Sequence, residues 1–365
     1  MARQERDAAT LERLADQLLV WYEINRRDLP WRHTRDPYAI WVSEVMLQQT
    51  RVAVVGERYR AFLQRFPTLQ DLAAAPEQDV LALWSGLGYY RRARMLQKAA
   101  QFVVSHHAGC MPTTAAELRL LPGIGAYTAA AIASIAHGEP VAVVDGNVER
   151  VLCRMQGWSA ASRSRATTQR RRVESLADKL LVPGRPGDSN QAMMELGALI
   201  CTPRNPKCML CPLTRDCKTR GEHKTQPRPR MRSQAIACAL VVRTTGDAGQ
   251  QVREVFLEQR PATESVMPGL WQLPMLREAA MPEEDVRLTV RHAIMQVNYY
   301  VRVREVAQNQ VDTLAVAAGE RRWVPLVEAA AMALTGLTRK VLTRAHLLRH
   351  LPPGSIAAES TARVS

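Results

Sequence analysis

Nowhere in the 365 residues is there an apolar run approaching the ~20 that a membrane-spanning helix needs. Residues Met1–Gln17 carry no apolar segment of the secretory type. A cytosolic protein that touches no membrane is the expectation. Acidic residues are in deficit, 35 against 49 Lys and Arg, which leaves a net charge of +14 and favours a polyanion partner, nucleic acid first. Seven cysteines cannot all pair, and four of them crowd into residues 201–217, so metal binding is expected rather than a disulfide framework. No internal repeat stands out. What is present is a 47% hydrophobic composition over a length sufficient for two domains.

The chain is organised around residues 121–147. Leu121-Pro122-Gly123-Ile124-Gly125 reads as a tight hairpin in which either glycine is free to take positive φ. The small-residue run Tyr127–Ala136 reads as a helix, and the unpaired N–H groups at its start suit a phosphate oxygen. Val141–Val144 then leads to Asp145-Gly146-Asn147, which sets a carboxylate near any phosphate held there. Two ordinary loops flanking a core helix fit the same residues equally well.

Upstream, Leu11, Leu14, Leu18 and Trp21 recur at helical spacing, predicting a helix over residues 8–26. Asp36-Pro37 predicts a capped helix start, and the helix that follows carries Glu44 among Val45, Met46 and Leu47. A glutamate buried there holds its proton to higher pH and suits an acid, whereas periodicity alone also allows an exposed helix glutamate. Helices are expected over Val52–Phe66, Gln78–Trp84 and Ala93–His107. Gly86-Leu87-Gly88-Tyr89-Tyr90, followed by Arg91, Arg92 and Arg94, suits rings wedged into a base stack, or tyrosines packed on a core. Arg163, Arg165 and Arg170–Arg172 read as an exposed basic stretch, Pro183–Asp188 as a loop and Asn190–Ile200 as a helix.

Cys201, Cys208, Cys211 and Cys217 are spaced C-x6-C-x2-C-x5-C. Four thiolates this close share a metal, and spacing leaves zinc and an iron–sulfur cluster both open. Lys207, Arg204 and Arg215 beside them are phosphate contacts or a solvated fringe. Cys110, Cys153 and Cys238 are expected to be packing residues. After the basic linker Gly221–Ser233 the pattern turns to strands over Ala235–Arg243, Val252–Arg260 and Asn298–Val303, with a helical tail over Leu326–His350. The expected fold class is therefore an all-α domain followed by a smaller α+β domain: 1–222 with the cysteine loop at 201–217, a linker at 223–233, a second domain at 234–350 and a frayed tail at 351–365.

Taken together, Leu29–Arg32, Trp41–Thr50, LPGIG, Gly86–Tyr90, Val144–Val148, Asn190–Gly197 and the cysteine set closely resemble the MutY family of helix-hairpin-helix base-excision glycosylases. The resemblance covers roughly residues 10–220. It implies a monofunctional enzyme that removes adenine mispaired with 8-oxoguanine or G in duplex DNA, acting as a monomer. It also implies a [4Fe–4S] cluster on the four cysteines. Glu44 matches the acid that protonates the departing adenine, and Asp145 the carboxylate that stabilises the sugar cation. Tyr127 and Asn147 match residues that hold the catalytic centre. Trp31, Arg32, Leu47 and Glu195 match the adenine pocket. Gln48, Gln49, Thr50 and Tyr89 match the probe of the opposite strand, and Gly123 and Gly125 the DNA-binding hairpin. Glycosylase-lyases of this superfamily place a lysine where Tyr127 stands, and a phenol forms no imine. That position and the second domain disfavour a lyase acting on oxidised pyrimidines. Glu44 and Asp145 together disfavour a non-catalytic binder that uses its cluster to sense or dock on DNA.

Residues 234–350 resemble the family's Nudix-like domain through Arg260-Pro261 and Gly269–Pro274. The acidic cluster that holds magnesium in Nudix hydrolases is missing, so no pyrophosphatase activity is expected. The family's Phe-Ser-His loop that reads 8-oxoguanine is replaced by Arg291–Gln296. Gln296 can still donate a hydrogen bond, but Ile294 and Met295 cannot replace a hydroxyl contact, and weaker discrimination between A:8-oxoguanine and A:G is expected.

Overall fold

A capped helix start and a helix packed on all sides account for the central element of the computed structural model. It describes residues 2–158, 166–223, 230–246, 251–277, 281–314 and 319–348. Arg163, Arg165, linker residues 224–229 and the 351–365 tail lie outside the described residues. Contacts gather the chain into two units, residues 1–48, 68–70 and 98–227, and residues 49–67, 71–97 and 228–365.

The first unit is helical. Helix α1 (Ala2–Asn25) lays Leu14, Leu18 and Tyr22 against Val148 and Leu152 of α9 (Gly146–Gln156) and Leu196 of α11 (Pro186–Leu199). Helix α2 (Pro37–Leu47) begins with Asp36 accepting from Tyr38 N and Ala39 N, and Pro37 occupies its first turn, where no N–H is needed. A short α7 (Ala115–Leu118), the hairpin and α8 (Ala126–His137) form a helix-hairpin-helix. In the hairpin Gly123 takes φ 76°. Gly125 takes φ −88° and serves as the N-cap of α8, so only one of the two glycines uses the left-handed region. Ala129, Ala130, Ala131 and Ala133 of α8 are buried, and α11 comes so close that a Cβ on Gly187 would lie 2.8 Å from the Ser134 carbonyl oxygen. Helix α10 (Ala166–Asp178) carries Arg170–Arg172, so those arginines stand on a helix. The expected loop at 183–188 is shorter than read. Pro186 starts α11, and its fixed φ suits a helix start rather than a turn.

The second unit joins helices to sheet. Among the helices, α3 (Val52–Arg65) and α5 (Glu77–Leu83) meet around Phe62, Phe66 and Trp84. The sheets are β5-β1-β7-β6 and β2-β3-β4, with β8 also on β3. Their strands are β1 (Arg232–Leu240), β2 (Val242–Thr245), β3 (Val252–Gln259), β4 (Trp271–Gln272), β5 (Met275–Leu276), β6 (Val286–Ile294), β7 (Val297–Glu305) and β8 (Arg321–Pro325). Strands β1 and β7 pair in parallel, and the other pairs are antiparallel. Cys238, Val255, Leu257, Val301 and Val341 form the core between the sheets and α13 (Gly336–Arg344).

Three expectations are corrected. Residues Arg291–Ile294 belong to strand β6, and only Met295 and Gln296 form the turn. The helical tail is broken between α12 (Leu326–Ala331) and α13. Cys110 is exposed rather than packed, while Cys153 and Cys238 are buried. Among the described residues no helix is long and apolar enough to cross a membrane.

Candidate active site

Because α2 is apolar on nearly every side, Glu44 has no face that leads to water, and it is 5% exposed. Its Oε2 accepts a 2.6 Å hydrogen bond from the Tyr127 hydroxyl, delivered by the second residue of α8. Burial pushes the Glu44 carboxyl up to about 7. The Tyr127 hydrogen bond opposes this, the Asp145 charge adds to it and Arg32 opposes it. A proton on this carboxyl therefore belongs on Oε1, the oxygen not taken by Tyr127. Burial and the Glu44 charge hold the Tyr127 phenol well above its usual range, so it stays a donor.

Asp145 ends the short apolar run and caps α9. Its Oδ1 accepts from Asn147 N at 2.8 Å and Val148 N at 2.7 Å. Its Oδ2 accepts from Asn147 Nδ2 at 2.8 Å. Three donors fix the carboxylate's orientation, and the positive end of the helix dipole favours an anion there. The backbone leading to it is strapped by side chains. Ala142 N donates to Asp178, Val143 N to Asn190, and Arg170 donates to the Val144 carbonyl. Asn147 Oδ1 accepts from Arg150 at 2.8 Å, and Arg150 also donates to the Gly197 and Cys201 carbonyls. Gly197 is required by that approach, since a Cβ there would lie 2.6 Å from the Asn147 Cβ.

Trp31 and Arg32 sit on a single turn, Pro30–Arg32, and both are largely buried. Glu195, assigned by resemblance to the pocket lining, has both oxygens engaged. Arg27 and Arg32 each grip it in bidentate fashion at 2.6–3.0 Å. Burial works to raise the Glu195 carboxyl, but the two guanidinium groups prevail and hold it at about 2. Leu47, at the end of α2, is half-buried, and Gln48 donates to Thr128 Oγ1 at 3.4 Å. Beside Tyr127 an open cleft of about 380 Å³ runs along Arg119, Ala130, Val144 and Arg170.

The first unit thus assembles Glu44, Tyr127, Asp145, Asn147, Trp31, Arg32 and Glu195. In the second unit Thr50 donates to the Leu87 carbonyl, which joins the Gln49-Thr50 turn to the loop that carries Tyr89. Gln296 lies in the β6–β7 turn, where its carbonyl accepts from Arg232 N. Arg27 and Arg150 were missed in sequence. Arg27 stands two residues before the Leu29–Arg32 stretch, and that adjacency was its only signal.

Cys201, Cys208, Cys211 and Cys217 line one pocket walled by Leu196, Ile200 and Leu213. Arg154 donates to the Cys201 sulfur at 3.5 Å and Arg220 N to the Cys217 sulfur at 3.4 Å. Among the described residues no three His, Cys, Asp or Glu side chains converge as one metal ion would need. An apolar wall, N–H donors to sulfur and four thiols fit an iron–sulfur cluster.

Residues 42–176 match the family described as HhH-GPD superfamily base excision DNA repair protein. Residues 201–217 match the iron–sulfur binding domain of endonuclease III, and the cofactor is a [4Fe–4S] cluster. The chain is 51% identical over 224 residues to an adenine DNA glycosylase of Homo sapiens, covering 59% of this chain and 41% of that one. It is 38% identical over 325 residues to an adenine DNA glycosylase of Arabidopsis thaliana, covering 78% and 50%. The chain spans about half the length of the curated relatives it matches. A thermostable thymine-DNA glycosylase structure is 31% identical with a TM-score of 0.53, covering 57% of this chain and 96% of the other. That likeness runs along nearly the whole of the matched structure at 31% identity, and the chain belongs to the HhH-GPD superfamily of base excision DNA repair proteins.

Proposed function

We propose that this chain is a monofunctional adenine DNA glycosylase that hydrolyses the N-glycosidic bond of adenine mispaired with 8-oxoguanine or G in duplex DNA. The observation that carries the reading is the buried Glu44 carboxyl, pushed up to about 7, bonded to Tyr127 and close enough to Asp145 to feel its charge. Identity of 51% over 224 residues to an adenine DNA glycosylase supports it. Glycosidic cleavage passes through an oxocarbenium-like state and requires one acid and one anion. Glu44 donates a proton from Oε1 to the adenine, at N7, as the C–N bond breaks. Asp145, oriented by its three donors, stabilises the sugar cation from Oδ2 until water adds to it. Arg27 and Arg32 hold Glu195, and with it the Trp31 turn, as one wall for the base. Flipping the adenine out costs a few kcal/mol, less at a mispair.

When bound, the [4Fe–4S] cluster gives structural support, since hydrolysis transfers no electrons. Cys201, Cys208, Cys211 and Cys217 would hold it and so order the loop bearing Arg204, Lys207 and Arg215 for phosphate.

The test is base release from duplexes with A opposite 8-oxoguanine, G, C and T, and with T opposite G, assayed with and without alkali. Adenine should leave from the first two, and strand cleavage should need alkali. Thymine release without adenine release would transfer the reading to the activity named for the thymine-DNA glycosylase. A borohydride-trapped DNA adduct would overturn the monofunctional assignment, because Tyr127 has no amine.

The same panel measures selectivity. Gln296 stands in a two-residue turn with Met295, which is 74% exposed, and neither Ile294 nor Met295 replaces a hydroxyl donor. The ratio of rates for 8-oxoguanine over G should be smaller than that of the human relative measured alongside. An equal or larger ratio would refute it.

A further inference from the structure

Gln49, at φ 57°, and Tyr89, at φ 48°, are exposed residues of the second unit that lie in the left-handed region without being glycine. They occupy different turns, separated by forty residues of chain. A single side chain ties the turns together. Arg92 Nη2 donates to Thr50 Oγ1 at 3.2 Å, next to Gln49. It also donates to the Leu87 and Gly88 carbonyls, both at 3.0 Å, just before Tyr89. Thr50 Oγ1 closes the link by donating to the Leu87 carbonyl at 3.2 Å, and Trp84 Nε1 donates to the Gly88 carbonyl at 3.1 Å. The Arg92 guanidinium lies over the Trp84 ring at 5.4 Å and the Tyr89 ring at 5.7 Å. The backbone N–H of Arg92 bonds the Tyr89 carbonyl at 2.8 Å.

Of the arginines that follow the glycine loop, Arg92 is thus turned into the protein, toward neutral carbonyls and rings rather than toward solvent. Burial lowers its pKa to about 10, consistent with an enclosed guanidinium. A planar fork can serve several oxygens while stacking on rings, and an ammonium cannot do both.

We propose that Arg92 is a positioning residue that locks Gln49 and Tyr89 into one two-pronged probe of the base stack, and that it is not itself a phosphate contact. This rests on the reading of Gln49 and Tyr89 as DNA-contacting residues.

The test uses the full-length protein with Arg92→Lys and Arg92→Gln, and Thr50→Val as an independent break of the same link. A duplex with 2-aminopurine beside the A:8-oxoguanine pair reports unstacking by its fluorescence. Wild type should raise that fluorescence on binding. Both Arg92 variants should lose most of the rise and release adenine at least tenfold more slowly at saturating protein, with Thr50→Val intermediate. Release from single-stranded DNA, where no duplex needs unstacking, should be unchanged in both Arg92 variants. The slope of log binding constant against log salt should also be unchanged. A slope reduced by about one would make Arg92 a phosphate contact and overturn the proposal. Full rescue by lysine, or an equal loss on single-stranded DNA, would overturn it too. If wild type raises fluorescence but releases no adenine, the proposed activity fails while the probe geometry is still read by the dye.

Discussion

Replacing Glu44 by Gln should lower single-turnover adenine release by roughly 10²–10⁴-fold, the range that a general acid contributes, with mispair binding retained. The amide is nearly isosteric and its oxygen still accepts from Tyr127. What it lacks is the proton that Oε1 would deliver. The pH profile gives the sign independently. Glu44 acts while protonated, so the wild-type rate should be flat below about 7 and fall about tenfold per pH unit above it. That limb should be absent in the variant. Stability should also fall as pH rises. A carboxyl displaced from 4.5 to about 7 favours the fold below 4.5, and that contribution is lost as pH rises through 7. An ionised Glu44 therefore costs the fold about 3 kcal/mol, and the Gln variant should melt higher at pH 8 than wild type. Unchanged adenine release by Glu44→Gln would remove it from the mechanism, and a lower melting point at pH 8 would refute the strained carboxyl.

Replacing Asp145 by Asn should cost about 10²–10³-fold, by analogy with the loss of one preorganised group facing transition-state charge. Asparagine caps a helix as well as aspartate does, so α9 should still start at the same residue. The amide nitrogen would, however, face Asn147 Nδ2, donor against donor, and Asn147 is itself held by Arg150. The variant thus loses the charge and the hydrogen bond that aims it. A second readout separates chemistry from folding. The Asp145 charge helps to raise the Glu44 carboxyl, so residual activity should begin to fall at a lower pH than in wild type. Circular dichroism and melting should show a folded protein. An alkaline limb that stays in place or moves upward would mean that the two carboxyls do not share one site.

Much of the site was legible because its signals are local. Asp36-Pro37 announces a helix start within two residues, and the apolar residues after Glu44 admit a carboxyl deprived of water, which the structure chose over an exposed one. The four cysteines lie within 17 residues, so spacing alone reveals a shared ligand. Reading failed where an unusual backbone had no glycine to mark it. Met295 takes φ 53°, which lets the β6–β7 turn be two residues long, and no residue type there signals it. Pro186 was read as part of a loop because prolines and glycines cluster nearby, although a helix tolerates proline in its first turn.

Composition, periodicity and motif spacing by themselves determined a basic two-part chain, its helical and strand-rich regions, Glu44 and Asp145 as candidate carboxyls, and the cysteine set. All of these follow from interactions within a few residues or from the total charge. Only the tertiary structure decided which groups meet. Glu195 is gripped by Arg27 and Arg32 from 168 and 163 residues away, and Tyr127 reaches Glu44 across 83. A buried charge must find its partner wherever packing brings one, and packing is not written in nearest-neighbour spacing. The same holds for the Glu44 proton, whose affinity is set by the low-dielectric enclosure that α2 and α8 build together.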